Sequence, residues 1–224
     1  LIKWITNRKG TSGYIKVSAT NQNDVQLVTE LDGKPLKIKY LESSYLLSDL
    51  HRAAFLRDMK SAHTDFTFEL DDNGRPYWVV TRYDNAIGIT EAKAIGALVI
   101  DAQTGESEVY DIDNMPNWID RIQPSRFINN YINKWGELVH GVFNFNDKDK
   151  LKTTTGMNLI FNKDECFYYT GITSVGNDEG LVGFTLTNTR TGKTTMYKTA
   201  GATEEAAIRS AEGKVQQYGY KATF

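Results

Sequence analysis

Gly96-Ala-Leu-Val-Ile-Asp101-Ala-Gln-Thr-Gly105 is the stretch from which the rest of the chain can be read. Leu98 and Ile100 share one strand parity, and Val109 follows a turn in which Gly105 can supply the positive φ of a tight hairpin. The same phrase occurs twice more. Gly13-Tyr-Ile-Lys-Val-Ser-Ala-Thr-Asn21 precedes it by 83 residues, and Gly183-Phe-Thr-Leu-Thr-Asn-Thr-Arg-Thr191 follows it by 87, glycine to glycine. Thr-Gly closes the second and third copies at 104–105 and 191–192, and Tyr110 and Tyr197 stand five residues past those glycines. A repeat this long points to small domains in tandem rather than to one catalytic fold.

Further paired strands lie around these copies. Phe66–Leu70 and Tyr77–Thr81 flank the turn Asp71-Asp-Asn-Gly74, and Leu159–Phe161 and Phe167–Thr170 flank Asn162–Glu165. Asp32-Gly33-Lys-Pro35 marks another turn ahead of Leu36–Tyr40. Three stretches have helical period. Ser44 to about Asp58 carries Leu46, Leu47, Leu50 and Ala54 on one face, with Ser43 or Ser44 as N-cap. Ser125 to about Leu138, just after Pro124, carries Phe127, Ile128, Tyr131, Ile132 and Trp135. Thr203 to about Tyr218 opens with Glu204-Glu205, turns Ala207, Ile208, Ala211 and Val215 inward, and stops at Gly219.

In order, the elements repeat as one helix and four strands. The expected fold class is therefore α+β, in tandem units that each pack one helix on a face of an antiparallel sheet. The units run over 44–113 and 125–200, joined by a linker at 114–124. Residues 1–43 supply the trailing strands of an incomplete first unit and a hairpin linker, and 201–224 the opening helix and strand of a further, truncated one. Units of this size are marginal alone, so neighbours are expected to share interfaces.

Composition excludes several functions. The net charge of −2, from 26 basic and 28 acidic residues interspersed, gives no electrostatic footprint for nucleic acid. No apolar run approaches the length of a membrane span, and no signal peptide is visible. The chain opens on Leu1 and reads as a fragment of something longer, with any membrane contact made through segments outside it. The single cysteine, Cys166, sits in the apolar run Cys166-Phe-Tyr-Tyr169 and reads as buried and structural.

The segment Val99-Ile-Asp-Ala-Gln-Thr-Gly105-Glu, near the end of a unit of one helix and four strands, resembles the PepSY family. Leu186-Thr-Asn-Thr-Arg-Thr-Gly192-Lys is a weaker match with Asn188 in place of aspartate, and Ser18-Ala-Thr-Asn21 lacks the glycine. The stretches Gly171-Ile-Thr-Ser174 and 201–216 also resemble the extracytoplasmic part of large uncharacterised bacterial membrane-associated proteins. The resemblance covers about two thirds of the chain. It implies tandem PepSY/cystatin-like units, a place outside the cytoplasm in a membrane-anchored protein, and a binding or regulatory role toward a peptidase or envelope assembly. It brings no catalytic residue with it.

Candidate sites are few. His51, His63 and His140 form no metal pair, and no nucleophile-elbow, phosphate-loop or dinucleotide pattern is present. A surface or capping role is the expectation for His51, which follows Leu50 in a helix, and His140, which ends one. Asp111-Ile-Asp113-Asn114 and Asn146-Asp147-Lys-Asp149 lack the loop length, glycine and closing glutamate of a calcium loop and read as solvated turns. The expectation is a non-enzyme with no metal and no cofactor. Aromatic residues are the sharper signal. Strand alternation sends Tyr77 and Trp78, and likewise Phe167, Tyr168 and Tyr169, to opposite faces. Tyr168, Trp78 and Tyr77 are the candidate partner surface, with Tyr168 first. The polar loop with Thr173, Ser174, Asn177, Asp178 and Glu179 is the second candidate. The expected function is non-catalytic contact with a protein or peptide of the cell envelope. The alternatives are a cell-wall or glycan-binding module, marked by a shallow aromatic groove, and a hydrolase whose carboxylates converge only in the fold.

Overall fold

The computed structural model describes residues 10–18, 21, 23–84, 92–141, 150–162, 165–176, 180–203 and 206–210. The chain divides into two compact units, Leu1–Ile122 and Gln123–Phe224.

In the first unit, β1 (Tyr14–Val17) pairs with β2 (Val25–Val28), and β3 (Glu30–Leu31) with β4 (Lys34–Pro35). Then come a helix, α1 (Leu50–Arg57), and an antiparallel meander in the order β5 (Ala62–Leu70), β6 (Pro76–Asp84), β7 (Lys93–Asp101), β8 (Ser107–Asp111). One face of this sheet turns Val80, Leu98 and Ile100 toward Leu50 and Ala54 of α1. The other turns Val79, Ala97 and Val99 toward Met115, Ile119 and Ile122. Residues 115–122, expected within a linker, thus cover a sheet face without forming a helix there, and Thr81 donates to Ile122 O at 2.9 Å.

The second unit places α2 (Ser125–Leu138) against a five-stranded sheet. Its main path is β10 (Asn158–Asn162), β11 (Glu165–Ser174), β12 (Gly180–Asn188), β13 (Thr194–Ala202), while the short β9 (Leu151–Thr153) pairs with the far end of β11. Ile128 and Ile132 of α2 pack on Tyr168 and Ile172 of β11.

The expected α+β class, one helix to each sheet, is overturned. The described residues are mostly β, 48% strand against 19% helix, in thirteen strands and four sheets, so the fold is strand-dominated and does not repeat one helix to each sheet. Two of those sheets are bare hairpins, and the meander is closed on one side by irregular chain. The first helix is also shorter than its periodicity suggested. Leu46 takes a left-handed φ of 54°, and a 3₁₀ turn at Leu46–Ser48 breaks the run. Ser44 spends its hydroxyl on Lys39 O at 3.0 Å, so Asp49 becomes the cap and accepts Arg52 N at 2.7 Å. Leu46 and Leu47, read as inward, are about three-quarters exposed.

The three sequence copies fold alike at their glycines. Gly13, Gly96 and Gly183 each pass so close to the paired strand that a Cβ would collide with the carbonyl oxygen of Val28, Tyr110 and Tyr197 respectively. One residue on, Tyr14 pairs with Val28, Ala97 with Tyr110, and Phe184 with Tyr197. The turns after β7 and β12 match bond for bond. Asp101 Oδ1 accepts Gln103 N and Thr104 N at 2.8 Å each, and Asn188 Oδ1 accepts Arg190 N and Thr191 N at 3.0 and 2.9 Å. Gly105 and Gly192 both carry positive φ, 77° and 71°.

Candidate functional site

The sheet that buries Val79 and Val99 has a groove at its β8 edge, about 280 Å³ in volume. Alternation along the strands builds it. Tyr77, Val99, Asp101, Glu106, Glu108 and Tyr110 all point to this face, and Trp118 from the covering segment forms the opposite wall. The Tyr77 and Trp118 rings lie 5.0 Å apart at 31°. Arg75 reaches Asp101 Oδ2 through Nε at 2.5 Å and stands 5.9 Å over the Tyr77 ring. Tyr110 donates to Glu108 at 2.5 Å, a bond that with burial pushes the phenol up to about 12. Glu106 and Glu108 are exposed, so the groove has an aromatic floor and an acidic rim. Strand β8 pairs only with β7 among the described residues, which leaves the rim beside an open sheet edge.

Of the predicted surface, only Tyr77 enters this groove. Trp78 lies half-buried on the opposite face and donates to Tyr40 O at 2.8 Å. Tyr168 is not available to a partner: it is 3% exposed and its hydroxyl donates to Gln123 O at 3.0 Å. The helix-facing side of β11 took Tyr168, because α2 needs a large apolar floor and a buried phenol needs one acceptor. In the predicted loop, Thr173 is buried and donates to Gly180 O at 2.9 Å, Ser174 ends β11 half-buried, and Asn177, Asp178 and Glu179 lie outside the described residues. The Asn146–Asp149 cluster lies outside them too. Trp118 and Tyr110 were missed as site residues. The signal available was their place on the inward parity of β8 and in the aromatic-containing segment that follows it.

Two other polar groupings bear on chemistry. Glu69 is held beneath the covering segment, where burial raises its carboxyl to about 7 against the pull of the Thr67 hydroxyl at 3.0 Å and Asp120 N at 3.3 Å. It does not line the groove. At the end of α1, Asp58, Ser61, His63 and Arg82 gather. Burial would raise Asp58, but bonds from Ser61, Arg82 and Lys60 N outweigh it and bring the carboxyl down to about 2. His63 is nearly buried with Nε2 3.5 Å from Asp58 Oδ2. The Ser61 hydroxyl is engaged by Asp58 and accepts from Arg82 at 3.1 Å, so no serine–histidine bond primes a nucleophile. This cluster ties the helix end to β6. Among the described residues no three metal-ligating side chains converge, and no helix is long and apolar enough to cross a membrane.

Comparison with protein-family models, with curated proteins and with solved structures gives no match for this chain.

Proposed function

We propose that this chain is a non-catalytic binding module that takes up an extended protein segment along β8, outside the cytoplasm, as the interaction or regulatory part of a membrane-associated protein. The observation that carries the reading is the groove beside a strand edge that is unpaired among the described residues. A segment hydrogen-bonded to β8 sends alternate side chains to the face where Tyr77, Tyr110 and Trp118 stand, and the acidic rim of Glu106 and Glu108 favours basic neighbours. Backbone bonds then supply affinity and the groove supplies selection. The extracytoplasmic setting, and regulation of a peptidase or envelope assembly, rest on the resemblance to PepSY units.

A glycan is the second reading, favoured by the neighbouring Tyr77 and Trp118 rings and the polar rim. One experiment separates the two. Extended peptides selected from a display library on the purified chain should lose roughly tenfold or more in affinity against Trp118→Ala. N-methylation of alternate peptide amides should abolish binding, because it removes ladder donors. Enrichment of no peptide, together with cell-wall oligosaccharide binding that depends on Trp118, would replace strand addition by glycan recognition.

A further inference from the structure

Given the strand addition proposed above, on which this rests, we infer that the segment taken up along β8 is basic, with arginine or lysine at two alternate positions, beside Glu106 and Glu108, and an apolar residue beside Tyr110. Three rows of side chains cross the groove face. Tyr77 pairs with Asp101, and the Asp101 amide donates to Glu106 O at 2.8 Å. Val79 pairs with Val99 and Val99 with Glu108, while Thr81 pairs with Ala97 and Ala97 with Tyr110. A strand added beyond β8 supplies the next residue of each row. Its neighbours on this face are therefore Glu106, Glu108 and Tyr110, met at alternate positions of the added strand.

Charge along these rows is unbalanced. The groove is lined by three carboxylates, Asp101, Glu106 and Glu108, and by one cation, Arg75. Arg75 is spent on Asp101, which it meets through Nε at 2.5 Å. Glu106 and Glu108 have no ion-pair partner among the described residues. Both are nonetheless held in place, since the Thr104 hydroxyl donates to Glu106 at 3.4 Å and the Tyr110 hydroxyl to Glu108 at 2.5 Å. A carboxylate accepts about four hydrogen bonds, so each keeps room for a charged donor. Arg75 itself shows how a cation sits on this face: bonded to a carboxylate, with its guanidinium 5.9 Å over the Tyr77 ring. The phenols register the same negative field. Tyr77 is raised by burial and, against Arg75, by Asp71, Asp101 and Glu106; Tyr110 is pushed up to about 12 by its bond to Glu108 and by burial. The row that ends at Tyr110 holds no carboxylate, so its next residue is apolar.

Fluorescence anisotropy with labelled peptides and the 224-residue chain tests this. Strands β5 to β8 all pair antiparallel, so the probe is a short threonine peptide with leucine second and arginine fourth and sixth. It should bind about fivefold or more tighter than the same peptide with glutamine for arginine. It should also outbind, by a similar factor, a peptide of equal charge whose two arginines are adjacent, because only one of those can face the groove. Rising salt should erode the first advantage. The double variant Glu106→Lys, Glu108→Lys changes two exposed side chains and should reverse the preference, favouring glutamate at the arginine positions. Equal binding of the arginine and glutamine peptides, both weakened by Trp118→Ala, would overturn the basic segment and leave strand addition standing. Equal binding of adjacent and alternate arginines would reduce the selection to diffuse attraction and overturn it too. If none of these peptides binds, this inference and the strand addition beneath it fall together.

Discussion

At the residue scale, the third copy departs from the second where Asn188 replaces aspartate, and the structure gives the reason. Asp101 holds its turn with one oxygen and meets Arg75 with the other. In the third copy the residue at the place of Arg75 is Glu165, which accepts from Asn188 Nδ2 at 3.0 Å. An aspartate there would face a carboxylate; the amide holds the same turn and donates to it. Asn188→Asp should therefore cost about 1 kcal/mol, with Glu165→Arg in that background restoring most of it. Denaturant midpoints of the four-member cycle decide this, and a coupling of zero would refute the exchange of charge. Glu69 gives a second test. Its folded carboxyl lies near 7, above the ordinary 4.5, so the native state holds a proton that the unfolded chain releases over that window. The stability it contributes is full below 4.5 and is lost as pH rises through 7, by on the order of 3 kcal/mol. Glu69→Gln should match the parent at pH 4 and exceed it at pH 8. A difference independent of pH would mean the carboxyl is not held protonated.

At the scale of elements, hairpins were legible and layers were not. Turn chemistry is local: Asp71-Asp-Asn-Gly74 lets Asp71 Oδ1 accept Asn73 N and Arg75 N at 2.9 and 2.8 Å, and the flanking strands pair in register. The second helix was equally plain, since Pro124 sets its start and its apolar stripe is continuous. The first helix misled because leucines at 46, 47 and 50 satisfy a helical period whether or not the backbone does. What stops it, the hydroxyl of Ser44 bonding back to Lys39 O, is a contact that competes with capping. The cover on the second face of the meander could not be read from period at all. Met115, Ile119 and Ile122 are buried from irregular chain, whose apolar spacing follows the sheet beneath it and not its own backbone repeat. The candidate site inherited that blindness. Tyr77 was visible as an aromatic on a strand, while its neighbour Trp118 lies 41 positions on, in a stretch expected to link units.

At the scale of the whole molecule, one contact made three times organises the chain. A glycine lets two strands approach until the opposing carbonyl occupies the space of a side chain, and the next residue pairs with the residue that owns that carbonyl in each copy's hairpin. The sequences around it have drifted: the residue two positions beyond each glycine is Ile15, Leu98 or Thr185. The glycine has not, because no side-chain repacking can make room against backbone. Alanine at Gly13, Gly96 or Gly183 should therefore loosen its own hairpin in each case, whatever covers that hairpin. Amide exchange should rise about tenfold or more, equivalent to ~1.4 kcal/mol, in β1–β2, β7–β8 or β12–β13 respectively. If alanine at one of the three leaves exchange in its hairpin unchanged, that copy does not depend on the close approach, and the shared phrase there is a likeness of sequence without a common structural cause.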